Sequence, residues 1–593
     1  MCIGSYGGPR MARYCFGLAT TFHDPALAIV GPDGEVRYAE AAERYRQDKR
    51  ATNAEPDHIF RTAELIETYC EPDAEFVVGR TWGAGSARLP AWIGLASRFG
   101  LLEPGMIARL PDRGVAKLLL FRPYQIHHLT LCVRSSHLKS GANLALTLRH
   151  IWGNRKLSFL DFDHHLTHAA TACYTSPFSE AACLVVDGIG EHGSVAAYTY
   201  RDGTVTPLAR HRGSESLGAL YMLVTDLCGF SIFKGEEWKV MGLAAYGRRD
   251  ADLYRELSSM VRAAGLGLRY APMRRIRAIV RALETRRRGP DRSPLAGADL
   301  AHTWQIVFSE VMDALLARLY AATGAENLVL SGGCALNSSY GGRILDRTPF
   351  KRLHIPSAPG DDGNALGAAW LAHRHFHPEW RPRVQTHTSY LGSSMSGETL
   401  ERLFRIGRVP RLRHLPGEVH RKAAEALASG AIVGWVQGRA EFGPRALGNR
   451  SILADPRDPA MKDRINALVK FREEYRPFAP AILDRHGGEY FENYQESPYM
   501  ERTLRFRKEV VDRVPAVVHA DGTGRVQTVK REWNERFYEL IAAFHGLTGI
   551  PLVLNTSFNI MGKPIIHSVE DALGLFYTTG MDVLVIEDYF LEK

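Results

Sequence analysis

The chain of 593 residues lacks the features that mark secreted, membrane-spanning and disulfide-stabilised proteins. No uncharged apolar run reaches the roughly 18 residues that a membrane-spanning helix needs, and the N-terminal segment has no apolar stretch long enough for a secretory signal. The eight cysteines are scattered and none forms a CxxC pair, which favours reduced thiols over a disulfide framework. We therefore expect a cytoplasmic protein without a membrane span.

The sequence also lacks the GxxxxGK[ST] motif, which excludes a P-loop nucleotide site. Its net charge of +9 is concentrated in residues 269–292, which contain nine arginines and two acidic residues. Four apolar residues of that segment recur at helical spacing: Ile276, Ile279, Val280 and Leu283. We interpret the segment as a basic amphipathic helix with a solvated face, and an anionic partner or membrane surface is the alternative. Nucleic acid is not a predicted partner.

Strand–turn–strand patterns occur twice in the first half of the chain, roughly 165 residues apart. The predicted strands are Tyr14–Ala19, Ala26–Val30, Val36–Ala39, Cys183–Val186, Ser194–Tyr200 and Val205–Arg210. Such a duplication is typical of the actin-like and sugar-kinase fold, so the predicted fold class is α/β with α+β lobes. An irregular, histidine- and proline-containing segment places a domain boundary near residue 388, giving domains 1–388 and 389–593. Residues 84–155 carry no motif and are interpreted as an insertion that shapes an acceptor pocket.

A histidine cluster in the first half has the spacing of a metal site on a helix. Asp163 is a good N-cap for a helix that begins at His164. Positions four apart share a helix face, so His164 and His168 project together and can bind one cation. His165, three residues before His168, is the competing ligand.

Two acidic residues strengthen this prediction. Asp187 ends a buried strand, and a buried carboxylate needs a partner such as a metal. Asp361 lies in a glycine-flanked loop at the start of a helix, where helix capping by it or by Asp362 is the alternative interpretation. Nitrogen and oxygen ligands together are compatible with Fe(II), Mn(II) or Zn(II).

The second half contains a block of basic residues and glycines that is typical of a phosphate site. Residues 438–480 combine Arg445, Lys470 and Arg476 with several glycines, and Arg525 lies in a later Gly-rich turn. Arginine forks and close backbone approach are what polyphosphates require. Residues 555–559 follow a predicted strand as a loop, where Asn555 and Ser557 offer short polar side chains. For any single arginine, a surface ion pair is the alternative.

These motifs resemble one family, the carbamoyltransferases that include the nodulation-factor enzymes and those acting on aminoglycosides, ansamycins and cephamycins. The resemblance runs from about residue 14 to the C-terminus and is weakest at 84–155. It rests on FHDPA, HHLTHAA, DGIGE, KVMGLAAYG, LSGGCALN, GDDGNALGAA, EFGPRALGNRSIL and YRPFAP. The resemblance implies an actin-like first lobe similar to tRNA threonylcarbamoyl-transferring enzymes and a YrdC-like second lobe.

The resemblance also implies an activity, an O-carbamoyltransferase of secondary metabolism such as antibiotic biosynthesis. The second lobe would make carbamoyladenylate from Mg-ATP and carbamoyl phosphate, and the iron-binding first lobe would carry the group to a small-molecule hydroxyl. Carried over by position, the metal ligands are His164, His168, Asp187 and Asp361. The ATP and carbamoyl-phosphate contacts are Arg445, Lys470, Arg476, Arg525, Asn555 and Ser557. The transfer-site residues are His23 and Lys49, and the adenylate contacts are Gly332, Gly333 and Asn337.

Two other functions remain open alternatives. One is an actin-like ATPase or kinase whose second lobe binds a partner or nucleic acid, and the other is a tRNA-modifying transferase. A hydrogenase-maturation carbamoyltransferase is disfavoured because its zinc fingers require CxxC pairs. The acceptor is not identified by the sequence, and a homodimer is allowed.

Overall fold

A computed structural model of the chain describes residues 12–21, 23–71, 73–83, 132, 135–153, 157–383 and 388–593. Within these ranges the seven described cysteines are free thiols. No described helix has the length and apolarity needed to cross a bilayer. The acceptor-pocket role predicted for residues 84–155 falls mostly on residues outside the described ranges.

Two five-stranded sheets in the first part of the chain share one topology. The strands of sheet 1 are β1 (Arg13–Ala19), β2 (Ala26–Val30), β3 (Val36–Ala41), β4 (Glu75–Thr81) and β5 (Leu157–Phe162). Those of sheet 2 are β6 (Glu180–Val186), β7 (Val195–Arg201), β8 (Thr204–Arg210), β11 (Asn327–Ser331) and β12 (Arg352–His354). The orders β3-β2-β1-β4-β5 and β8-β7-β6-β11-β12 match strand for strand. In each sheet the first three strands are antiparallel and the last two parallel. The fold is therefore α/β with a duplicated, actin-like first lobe, as predicted.

A third sheet of nine strands is built entirely from residues 412–592. Its order is β13-β21-β20-β14-β15-β19-β16-β18-β17. The strands are β13 (Leu412–His414), β14 (Val433–Val436), β15 (Arg450–Ala454), β16 (Ala479–Leu483), β17 (Arg502–Arg505), β18 (Thr523–Val529), β19 (Leu552–Ser557), β20 (Val583–Ile586) and β21 (Tyr589–Glu592). The remaining strands, β9 (Val261–Ala264) and β10 (Gly267–Tyr270), form a hairpin. The boundary near residue 388 and the YrdC-like description of the second half stay predictions.

The helices cover the sheets. Those of the first half are α1 (Ala42–Arg46), α2 (Ile59–Tyr69), α3 (Ala142–Trp152), α4 (His164–Thr175), α5 (Leu217–Leu227), α6 (Glu237–Leu243), α7 (Ala251–Ser258), α8 (Met273–Glu284), α9 (Ala298–Thr323), α10 (Ser338–Gly341), α11 (Ile344–Arg347) and α12 (Asn364–Phe376). Those of the second half are α13 (Gly397–Arg405), α14 (Val419–Ala428), α15 (Met461–Ile465), α16 (Gly487–Tyr490), α17 (Glu535–Thr548) and α18 (Val569–Thr578). Helix α8 is the predicted basic helix, and its four apolar residues are buried.

Helices α4 and α12 fill the space between sheets 1 and 2, in a core rich in alanine. Glycines allow the elements to approach closely. A Cβ atom at Gly17 of β1 would collide with the Ala365 carbonyl of α12, and one at Gly367 of α12 would collide with the Thr167 carbonyl of α4. This close packing brings the start of α12 against the start of α4, where the predicted metal ligands lie.

Candidate active site

The predicted histidine helix is present as α4. The Asp163 carboxylate caps it by accepting a 2.9 Å hydrogen bond from the Leu166 amide. His164 and His168 lie one turn apart on the same face, and each side chain is only 1% exposed. The pair is therefore fixed in the interior of the first lobe, with both Nε2 atoms directed toward the same point.

Two carboxylates meet this pair. Asp187 follows β6, and the His164 Nε2 atom lies 3.2 Å from its Oδ2. Asp361 precedes α12, and its Oδ1 lies 3.5 Å from His164 Nε2 and 3.3 Å from His168 Nε2. The Gly333 amide donates a 2.8 Å hydrogen bond to the other oxygen of Asp187 and orients it. The fold thus assembles four residues that are as far apart as 164 and 361 in the chain.

This group of four, the metal group, fits a divalent cation. The four ligand atoms all lie within 4.8 Å of one another, and His168 Nε2 is buried without a hydrogen-bond partner. Burial opposes the charged forms. Asp361 and Asp187 nevertheless raise the pKa of His164 well above its ordinary value, and the imidazoles hold the pKa of Asp187 well below its own. The group could therefore hold a divalent cation, and its nitrogen and oxygen donors suit Fe(II), Mn(II) and Zn(II) alike.

Neighbouring residues hold the His164 imidazole in place. The Trp82 ring stacks on it at 4.7 Å between centroids, and the Glu191 carboxylate accepts a 2.8 Å hydrogen bond from its backbone amide. The Asn364 amide lies 3.3 Å from its Nδ1 atom. The competing candidate, His165, instead lies against Gly190 and is not part of the metal group.

The two predicted transfer residues lie near this group. His23 Nδ1 is 3.7 Å from Asp361 Oδ2 and 2.8 Å from Asp24 Oδ2. Asp24 also accepts from Arg50 at 3.1 Å. Burial favours the neutral acid, but Arg50 and His23 lower the pKa of Asp24 to about 2. Lys49 lines the neighbouring cavity and pairs with Glu43 at 3.2 Å.

The predicted phosphate contacts of the second half also lie on one surface. Arg445, Lys470, Arg476 and Arg525 line the same cavity. Burial lowers the pKa of Arg445 to about 10, and burial together with neighbouring arginines lowers the pKa of Arg525 and of Lys470 well below their usual ranges. The Arg525 Nε atom is buried without a hydrogen-bond partner. We call these four residues the phosphate cradle.

Lys470 is held by the loop after β19. Its Nζ donates a 2.9 Å hydrogen bond to the Asn559 side-chain oxygen and another to the Ser557 carbonyl. Asn559 and Arg472 were missed by sequence reasoning, although both line the cavity. The closely spaced cations Lys470, Arg472 and Arg476 are the signal that would have found Arg472.

Asn555 differs from the sequence-based prediction. It was placed in a loop, but β19 continues to Ser557, because Asn555 pairs with Leu453 on one side and Ala479 on the other. The Asn555 side chain is buried and donates a 2.7 Å hydrogen bond to Gln527. Its position in the cavity wall keeps it a candidate ligand contact.

The residues predicted to hold the adenylate lie at the turn after β11. The Gly332 amide donates to the Pro359 carbonyl, so both glycine amides of this turn, including Gly333, are used within the chain. Asn337 caps α10 and exchanges hydrogen bonds with Gln305. Leu336 and Ser338, not these three residues, line the described cavity wall, so their adenylate contact stays a prediction.

A single cavity of about 1270 Å³ joins the two clusters. Its wall includes Asp361 of the metal group and all four residues of the phosphate cradle. Between them lie residues of both halves, among them Trp238, Lys239 and Glu473. The metal group and the phosphate cradle therefore both contribute to the wall of one cavity.

Comparison with known protein families identifies both halves. Residues 132–370 match the family model described as Carbamoyltransferase N-terminus. Residues 424–593 match the model described as Carbamoyltransferase C-terminus. The two matches together cover the metal group and the phosphate cradle.

Individual relatives agree with this assignment. The nodulation protein NolNO of Sinorhizobium fredii (strain NBRC 101917 / NGR234) is 37% identical over 481 residues, which span 78% of this chain and 69% of that protein. The nodulation protein NolO of Bradyrhizobium diazoefficiens is 36% identical, over 73% of this chain and 79% of that protein. Among solved structures, full-length HypF in its phosphate- and nucleotide-bound form aligns at 12% identity with a TM-score of 0.36, covering 62% of this chain and 55% of that one. The chain belongs to the carbamoyltransferase family and is a transferase enzyme.

Proposed function

We propose that the protein makes carbamoyladenylate from ATP and carbamoyl phosphate and transfers the carbamoyl group to a hydroxyl of a small-molecule acceptor. The observation that carries this proposal is the shared cavity, whose wall includes both the phosphate cradle and Asp361 of the metal group. Carbamoyladenylate is a mixed anhydride that water destroys. Formation and use within one shared cavity would limit that loss.

The phosphate cradle suits the first step. Carbamoyl phosphate loses its phosphate to water, and an oxygen of the resulting carbamate attacks the α-phosphorus of ATP, which releases pyrophosphate. Two anions must approach each other in this step. The cations of the cradle lower their repulsion and stabilise the charge that develops on the leaving pyrophosphate. These cations are Arg445, Lys470, Arg476 and Arg525. These cations are already desolvated, so they interact strongly with a bound anion.

The surroundings of the metal group suit the second step. The acceptor hydroxyl attacks the carbamoyl carbon, the bond from that carbon to the adenylate oxygen breaks, and AMP leaves. His23, 3.7 Å from Asp361, would take the hydroxyl proton, and Asp24 beside it would stabilise the resulting imidazolium. His164, His168, Asp187 and Asp361 would hold the divalent cation, which supplies positive charge for the carbamoyl oxygen or the adenylate phosphate.

Pyrophosphate release tests the first step. We expect the purified protein to release pyrophosphate from ATP only when carbamoyl phosphate is added. Release that is indifferent to carbamoyl phosphate would instead indicate an actin-like ATPase or kinase.

A panel of hydroxyl compounds tests the second step. Aminoglycosides, macrolactams and related natural products should be incubated with ATP and carbamoyl phosphate and examined by mass spectrometry. An acceptor gains the mass of one carbamoyl group. Purified tRNA belongs in the same panel, because a gain there and nowhere else would favour the tRNA-modifying alternative.

A further inference from the structure

A short segment of the first half, residues 236–246, lies between the metal group and the phosphate cradle. It consists of Glu236, helix α6 and the 3-10 turn Ala244–Tyr246. Glu236, Glu237, Trp238 and Lys239 all line the shared cavity. The segment is therefore part of the wall that the two clusters share, although it belongs to only one half of the chain.

One side of this segment faces the transfer residues. Burial raises the pKa of the Glu237 carboxyl, while the charges of Arg50 and His23 oppose that rise. Arg50 in turn pairs with Asp24 at 3.1 Å. Glu237 thus lies within electrostatic range of His23 and of the Asp24–Arg50 pair beside it.

The other side holds the loop that carries the phosphate cradle. The buried Lys239 ammonium, 7% exposed, lies 2.9 Å from Glu236 and 2.9 Å from Glu473. The Arg476 guanidinium lies 4.0 Å above the centre of the Trp238 ring. The Tyr246 hydroxyl donates a 3.0 Å hydrogen bond to the Tyr475 carbonyl.

The loop itself is embedded in the first half. Tyr475, 7% exposed, packs into the hydrophobic core that α5, α6 and α9 form against sheet 2. Its neighbours Glu473 and Arg476 are 3.4 Å apart. The positions of these two charged side chains are therefore set by contacts with a different half of the chain from the one that contains them.

These contacts set how much net positive charge the cradle offers to a bound phosphate. Lys239 neutralises Glu473, which would otherwise compete with phosphate for the Arg476 guanidinium. The Trp238 ring adds a cation–π interaction, which favours one orientation of the guanidinium plane. Loss of either contact should leave the fold intact while weakening the binding of anions.

We propose that Trp238 and Lys239 are positioning residues of the phosphate cradle, through which the first half sets the affinity of the second half for ATP. The inference rests on the proposed function of the cradle. Neither residue needs to touch ATP, because each acts through Arg476 or Glu473.

Steady-state pyrophosphate release, with ATP and carbamoyl phosphate varied in turn, tests this inference. For Lys239→Met and Trp238→Ala we expect the KM for ATP to rise about tenfold while kcat changes less than about twofold, which is the pattern of lost uniform binding. Trp238→Tyr keeps a ring for the guanidinium and should restore most of the affinity. Lys351→Met, which removes an exposed lysine away from the cavity, is the matched control and should leave KM unchanged.

The double variant Lys239→Met/Glu473→Gln separates positioning from general damage. It removes both partners of the Lys239–Glu473 ion pair, so Glu473 no longer competes for Arg476, and the KM should return toward that of the natural protein. A KM as high as that of Lys239→Met would contradict the inference, and so would single variants that bind ATP normally.

Calorimetric ATP binding, measured on the same proteins, keeps the two proposals distinguishable. A natural protein that binds ATP but releases no pyrophosphate would disprove the proposed function and still allow the affinity comparison. Unchanged Kd values in the single variants would disprove the positioning role alone. A natural protein that does not bind ATP at all would overturn both.

Discussion

The metal group is a buried cluster of charge and the phosphate cradle is a largely half-buried one, and they are built in opposite ways. The metal group mixes two imidazoles with two carboxylates, and the imidazoles and carboxylates stabilise each other's charge. The cradle collects cations. Burial, together with neighbouring arginines, lowers the pKa of Lys470 and of Arg525.

This difference indicates which kind of ligand each cluster is suited to bind. The metal group is acceptable without a ligand because protonated imidazoles balance its two carboxylates. A divalent cation would replace those protons. The cradle has too little negative charge nearby, so its burial costs stability until a polyanion arrives. In the metal group, the charges that would bind a ligand therefore also stabilise the fold. In the phosphate cradle, the charges that would bind a polyanion lower the stability of the free protein. Four predictions test this contrast.

The largest expected effect comes from removing a cation of the cradle. Lys470→Ala or Arg445→Ala should reduce carbamoyl-phosphate-dependent pyrophosphate release by about 100- to 1000-fold, the usual cost of losing one charge-stabilising group. Transfer from supplied carbamoyladenylate should continue. Equal loss of both reactions would argue against a division of labour between the clusters.

Removing a member of the metal group should have the opposite pattern. We expect His164→Ala to lower the affinity for a divalent cation by about 100-fold or more, beyond what the loss of an outer-shell partner costs, and to block transfer while sparing pyrophosphate release. Metal content after dialysis and a chelator titration measure this. His165→Gln is the matched control, because His165 is the neighbouring buried histidine outside the group. Unchanged metal content in His164→Ala would show that the ligands are wrong.

A fall in pH should first destabilise the protein where a buried carboxylate is compensated by neighbouring cations. At the contact between the halves, Glu40 is 2% exposed and accepts hydrogen bonds from Tyr38 at 2.6 Å and Ser393 at 2.7 Å. Burial favours its neutral form, but His567 at 3.7 Å and Arg61 at 3.8 Å outweigh it, and the pKa of Glu40 is held well below its usual range.

The direction in which stability changes with pH follows from this lowered pKa. The carboxylate contributes its stability above the unfolded-state pKa of about 4.3 and loses it as the pH falls further. We expect Glu40→Gln to cost about 2 kcal/mol at pH 7, typical for hydrogen bonds to a charged group, and to flatten the fall in Tm below about pH 4. An equally steep fall in the variant would assign the acid sensitivity to other carboxylates.

The smallest expected effect is a gain in folding stability. Arg525→Met removes a buried, unpartnered guanidinium nitrogen and relieves repulsion from Arg445, Arg472 and Arg476. We expect the free energy of unfolding to rise by about 1 kcal/mol while pyrophosphate release falls, as is common when a functional residue is replaced by a packing one. Arg281→Met on the exposed face of α8 is the control and should change stability by less than about 0.5 kcal/mol. A destabilised Arg525→Met would mean that the cradle is compensated after all.

Local patterns foresaw the parts of the site that depend on short-range geometry. The spacing of His164 and His168 and the cap at Asp163 predicted a helix face, and α4 has that face and that cap. The pairing of β19 with β15 and β16, by contrast, extends a strand through Asn555 that sequence reasoning had ended earlier. Strand ends depend on neighbours far away in the chain, which no local pattern contains.

By itself the sequence determined the duplicated strand pattern, the absence of a P-loop, the two chemistry-bearing blocks and the family. Only the tertiary structure decided that Asp187 and Asp361 meet the histidines within 4.8 Å, that His165 is excluded, and that Trp238 and Lys239 support a loop of the other half. The physical reason is that helix and turn geometry act over a few residues. Contacts between distant segments are set by the packing of complete layers, here by the close approach of α12 to α4 and to sheet 1 that Gly367 and Gly17 allow.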